Sequence, residues 1–124
     1  MEANTYRGEV LVVLSGVSYA ARPDYHAILS WEEETGRATT ELLMRLSAGI
    51  ITLREIVAVL RHAIASGGRP VSAELLGTAI VQHGQTEIYR PLGTVLKNAL
   101  TGGKDAEPGE PEAAEARAGS PIAA

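Results

Sequence analysis

The chain has 124 residues, 45% of them hydrophobic and 21% charged, a globular composition sized for one domain rather than two. Lys plus Arg number 11 against 15 Asp plus Glu, for a net charge of -4, whereas a nucleic-acid partner demands clustered cations. The absence of cysteine excludes a disulfide framework, a thiol nucleophile and a cysteine zinc site.

Apolar runs such as Val10 to Leu14 fall far short of a membrane span. The N-terminus lacks the basic-then-apolar order of a signal peptide. The expectation is a soluble, cytoplasmic protein with neither nucleic-acid nor membrane partners.

The chain opens with a hairpin signal. Val10-Leu11-Val12-Val13-Leu14 favours a strand, Ser15-Gly16 reads as a two-residue turn, and residues 17–21 return as a shorter strand. Val10, Val12 and Leu14 share one face, Leu11 and Val13 the other. With both faces apolar, the ribbon has to pack on helices, and its edge is open to pairing with another chain.

The period then changes from two to nearly four. Arg22-Pro23-Asp24 leads into a helix whose predicted inner face is Tyr25, Ile28, Leu29 and Glu32, with Gly36 as its stop. A second helix over residues 40–48 turns Leu42, Leu43 and Leu46 inward and ends at Gly49. The third starts at the capping box Thr52-Leu-Arg-Glu55, carries the stripe Leu53, Ile56, Val57, Leu60 and Ile64, and stops at Gly67-Gly68. Ser72 caps a fourth helix over residues 73–83, with Leu75, Leu76, Ala79 and Ile80 along it. A fifth spans residues 87–101 with Ile88, Leu92, Val95, Leu96 and Leu100. Pro91 is tolerated only in a first turn, so the regular helix is expected to begin later than Glu87.

The predicted fold class is α+β, mainly α: an N-terminal β-hairpin packed on about five short helices, forming a domain over residues 1–101. Residues 102–124 differ in composition. They are rich in Ala, Glu, Pro and Gly, and between Lys104 and Ala124 five acids face two bases. That segment is expected to be a disordered acidic tail, because it has almost nothing to bury.

Few residues offer chemistry. His26, His62 and His83 fall on three different helices, without the convergence a metal site requires. Glu32, Glu33 and Glu34 point about 100° apart in succession, and only Glu32 continues the apolar stripe, where it needs an Arg or backbone N–H partner. Trp31 and Tyr6, Tyr19, Tyr25 and Tyr89 read as core or boundary aromatics in a chain without Phe. No nucleophile elbow, P-loop or dinucleotide fingerprint occurs. The expectation is a protein with no catalytic residues, cofactor or metal.

One ordered series is recognisable. Arg7-Gly8-Glu9-Val10 opens the hairpin, Ser15-Gly16 turns it, and Arg22-Pro23 leads to Trp31-Glu32-Glu33-Glu34-Thr35-Gly36-Arg37. Leu53-Arg54-Glu55-Ile56-Val57-Ala58-Val59-Leu60-Arg61 and Val71-Ser72-Ala73-Glu74 follow. Over roughly residues 5–101 this resembles the gene transfer agent family of phage-tail proteins, of the tail assembly chaperone type and also described as a tail tube protein. The chain departs from that pattern at Ala63-Ile64, in place of Gly-Leu.

The resemblance implies a non-enzymatic role in building a phage-like tail: a chaperone that coats the tape measure protein and hands over to tail tube protein. The rival it implies is a structural tube subunit. A small adaptor module shares the same fold pattern, and an enzyme lacks any convergent catalytic set. A holder of a long, aggregation-prone helical partner has to offer apolar surface. Leu43, Met44, Ile50 and Ile51, around the second helix, exceed what one helix face buries and are the expected partner-binding residues. A hydrophobic ribbon edge adds the possibility of a homo-oligomer.

Overall fold

The computed structural model describes residues 8–103. Two strands, β1 (Val10–Leu14) and β2 (Val17–Ala21), are followed by helices α1 (Tyr25–Thr35), α2 (Thr39–Ser47), α3 (Leu53–Ser66), α4 (Ala73–His83) and α5 (Tyr89–Thr101). A short 3-10 turn, Gln85–Ile88, leads directly into α5. The predicted α+β class, hairpin first and five helices after, is the observed one. Of the 102–124 segment expected to be a disordered tail, Gly102 caps α5, and residues 104–124 lie outside the described residues, as does Tyr6.

The strands pair antiparallel, Val10 opposite Ala21 and Leu14 opposite Val17. Ser15 and Gly16 both have positive φ, 52° and 78°, as the tight hairpin turn that matches the natural strand twist requires. Beyond the open end of the ribbon, the Glu9 side chain is buried and takes the Arg22 guanidinium on Oε2, from Nε at 3.3 Å and Nη2 at 3.2 Å. Val12, Leu14, Tyr19 and Ala21 enter the core. The opposite face does not: Leu11 is 54% and Val13 50% exposed. Only half of the two-sided apolar ribbon is therefore covered by helices.

Helix α3 is the centre of the domain. Its capping box forms as the sequence predicts: the Glu55 N–H donates to Thr52 Oγ1 at 3.1 Å, and the Thr52 N–H donates to Glu55 Oε1 at 2.9 Å. Burial extends beyond the predicted stripe to every residue from Glu55 to Leu60, and to Ala63 and Ile64. The reason is that α1, α4, α5 and β2 pack on different sides of it. Ala63 is fully buried, and its carbonyl accepts from the Arg22 N–H at 2.8 Å, so its small side chain admits a close backbone approach. At the end of α3, Gly67 lies flat against β2: a Cβ there would fall 1.8 Å from the Ala20 carbonyl oxygen.

The other helices join this frame with some departures from the expected faces. Helix α1 buries Ala27 and Trp31, while Tyr25 and Leu29, predicted inward, are exposed. Trp31 decides the rotation. It has the largest apolar surface on the helix, and its indole N–H has a buried acceptor in Thr39 Oγ1 at 3.0 Å. Asp24 caps α1 by accepting from the Ala27 N–H at 3.0 Å, and its Oδ1 also accepts from the Ser66 hydroxyl at 2.9 Å.

Helix α4, capped by Ser72, buries Leu76 and Ile80, but Leu75 faces out. Helix α5 places Pro91 in its first turn, where the missing N–H has no helical acceptor to lose. Leu92, Val95 and Leu96 are buried and Leu100 is exposed. Asn98 ties α5 to the segment just before β1, Nδ2 donating to the Gly8 carbonyl at 2.9 Å.

Candidate partner-binding surface

Helix α2 is short and amphipathic. Leu42 and Leu46 are buried, and Leu46 meets α5 at Gly93, where an added Cβ would stand 3.5 Å from its Cδ2. The rest of its apolar content turns outward. Met44 is 66% and Ile50 57% exposed, and Leu43 is half-buried against the core. With Thr40, Ser47 and Ala48 these residues line an open, mainly apolar concavity of about 770 Å³.

Of the four expected partner-binding residues, Leu43, Met44 and Ile50 therefore come together on one accessible surface. Ile51 does not: it is 5% exposed and belongs to the core. Gly49, with a φ of 73°, reverses the chain so that consecutive isoleucines point to opposite sides, one to solvent and one inward.

A buried carboxylate holds this surface in place. Glu55 Oε2 accepts from Arg37 Nε at 2.6 Å, and Oε1 accepts from Arg45 Nε at 3.1 Å as well as from the Thr52 N–H. Arg37 also binds Glu41 on α2 at 2.6 Å, and Arg45 Nη2 donates to the Ile50 carbonyl at 3.2 Å. The two arginines thus fasten both ends of α2, and the turn after it, to the first turn of α3. Burial by itself pushes the Glu55 carboxyl up; hydrogen bonds from the Thr52 N–H, Arg37 and Arg45 outweigh it and hold the group below its ordinary value.

Glu32 finds the backbone partner that its position demands: Oε2 accepts from the Thr39 N–H at 2.8 Å and from the Thr39 hydroxyl at 2.7 Å. Thr39 Oγ1 thereby links Trp31 to Glu32 and fixes the start of α2 against α1. Glu34 pairs with Arg61 Nη2 and His62 Nε2, each at 2.7 Å. Burial raises the Glu34 carboxyl, but the His62 hydrogen bond and the Arg61 charge bring it below its ordinary value.

His26, His62 and His83 remain on separate helices, and among the described residues no group of three or more His, Cys, Asp or Glu is placed to hold a metal. No helix among them is long and apolar enough to cross a membrane.

The sequence reading missed a second concavity, of about 870 Å³, between α3 and α4. Leu53, Val57 and Val81 form its apolar wall, and Glu34, Arg54 and Glu74 its charged rim. The available signal was Gly77 in the interior of α4, where a Cβ would meet Val57 Cγ2 at 3.5 Å.

A family model described as "Phage tail tube protein, GTA-gp10" matches residues 7–102. The chain belongs to this phage-tail family. The match spans both strands and all five helices, so it covers the whole of the domain just described. The family so described is structural rather than catalytic. No curated protein and no solved structure gives a significant match.

Proposed function

We propose that the chain is a tail-assembly chaperone that binds the tape measure protein and assists tail tube assembly, working in the cytoplasm of the producing cell. The observation that carries this reading is the accessible apolar concavity at Leu43, Met44 and Ile50, clamped in shape by Glu55 and its two arginines. A rigid, shallow apolar site suits transient capture of aliphatic side chains on an amphipathic helix. Its frame is charged and hydrogen-bonded, so the apolar residues stay on display rather than collapsing inward.

The test is co-expression with the tape measure protein. The wild-type chain should keep that protein in the soluble fraction. Met44→Asp combined with Ile50→Asp should send it to the pellet while circular dichroism of the double variant stays that of a folded helical domain. Equal solubility with both forms would reject this surface as the binding site.

The alternative is a structural tail tube subunit, which the family's description favours. Against it stands the make-up of the domain. Its described sheet has two strands, β1 and β2, whereas ring-forming tube subunits are β-rich. A tube subunit would be abundant in finished particles, and a chaperone would not.

A further inference from the structure

The two edges of the β-ribbon differ. In a two-residue hairpin the pair flanking the turn is hydrogen-bonded, and the pairs alternate from there. Leu14–Val17, Val12–Tyr19 and Val10–Ala21 therefore exchange backbone bonds, while the N–H and C=O groups of Leu11 and Val13 point away from β2, and those of Ser18 and Ala20 away from β1.

The β2 edge is covered by α3 at its C-terminal end, around Ala20 and Arg22. The Arg22 N–H, next in the outward series, donates to the Ala63 carbonyl at 2.8 Å, and Gly67 lies against the Ala20 carbonyl. Among the described residues no helix or loop makes the equivalent backbone bonds to Leu11 or Val13. Their side chains are exposed as well, at 54% and 50%. Strand edges are ordinarily blunted by Lys, Pro, a bulge or an inward charge, and the run Val-Leu-Val-Val-Leu has none of these.

We propose that the β1 edge pairs with β1 of a second copy of this chain, antiparallel and centred on Val12, to form a four-stranded sheet. In that register Leu11 of one copy stands opposite Val13 of the other. Both are outward-bonding positions, so all the free backbone groups of Leu11 and Val13 are satisfied in both copies at once. The same register sets the exposed Leu11 and Val13 side chains of both copies side by side on one face of the new sheet.

A two-fold axis at Val12 sets residues 10–14 of one copy against residues 14–10 of the other, so charges of one sign along the strand would repel there. Residues 10–14 carry no charge, and the side chain of the adjacent Glu9 is buried and ion-paired with Arg22. This is the charge pattern that self-pairing needs. The pairing is independent of whether the chain is a chaperone or a tube subunit.

The experiment is sedimentation equilibrium of the full chain over a wide concentration range, with amide exchange measured at both extremes. The mass should climb from 13.0 kDa toward twice that value, with Leu11 and Val13 amides slowing as it does. Val13→Pro removes an outward N–H and none of the hairpin's own bonds, a position where an edge strand accepts proline. It should remain at monomer mass.

If Val13→Pro fails to fold, as judged by circular dichroism, Val13→Lys decides instead, and it too should stay monomeric. The proposal is overturned if the wild-type mass stays at 13.0 kDa throughout, if Leu11 and Val13 exchange equally fast at both extremes, or if the folded variant associates like the wild type.

Discussion

Helices α2 and α3 are neighbours in sequence and both rich in aliphatic residues, yet they send those residues to opposite fates. In α3, six consecutive residues are buried, together with Ala63 and Ile64, because helices and a strand surround it. In α2 only Leu42 and Leu46 reach the interior among the aliphatics, and Met44, with Ile50 just beyond, stays in solvent. Hydrophobicity alone does not choose between core and surface; the number of elements that pack around a helix does. The Glu55 cluster joins the two regions, with one carboxylate anchored in α3 holding the arginines of α2 and its approach.

The sharpest contrast comes from truncation. Trp31→Ala, on the helix packed beside α3, should cost roughly 3–5 kcal/mol of unfolding free energy, because it empties a fully buried site and removes the indole N–H bond to Thr39 Oγ1. Urea denaturation of the full chain measures it, and a cost below about 1 kcal/mol would deny the core role described for Trp31.

Gly67→Ala comes next. Its Cβ would overlap the Ala20 carbonyl and force α3 away from the ribbon, at about 1–3 kcal/mol. The adjacent Gly68 has open space around it, so replacing it is a strain control rather than a steric one.

The link between the two regions has a pH signature. The Glu55 carboxyl is held below its ordinary value in the folded chain, so its contribution is fully present above the unfolded value of about 4.3 and is lost as pH falls through the folded one. Glu55→Gln should therefore lower stability by about 2 kcal/mol near neutrality and narrow the gap to wild type in acid. A gap that persists unchanged at low pH would mean that packing, not charge, is what Glu55 contributes.

The smallest effect is the most informative about α2. Met44→Ser should move stability by less than about 0.5 kcal/mol, as expected for a residue two-thirds exposed. The same change should weaken capture of the tape measure protein.

Much of this was legible in the sequence where local chemistry decides. Ser15-Gly16, Asp24, the Thr52–Glu55 box and Ser72 each set an element boundary through their own hydrogen bonds or φ values. Pro91 correctly delayed the start of α5. Rotation about a helix axis was less legible, because it depends on distant partners. Tyr25 and Leu29 fit a stripe as well as Ala27 and Trp31 do, and only the Thr39 acceptor favours the latter.

The same limit applies to the candidate surface. Leu43, Met44, Ile50 and Ile51 were recognisable as apolar surplus, but the reversal at Gly49 that takes Ile51 into the core is a property of the turn's geometry. The Glu55 cluster was half visible: the capping box reads directly from the sequence, whereas Arg37 lies 18 residues away and Arg45 10. The α3–α4 concavity offered only one interior glycine as a clue.

The chaperone reading is tested most directly by quantitative mass spectrometry of purified mature particles beside lysate of the producing cells. The account predicts a chain abundant in lysate and depleted from particles. Many copies per particle would contradict it and make the chain a structural subunit of the tail.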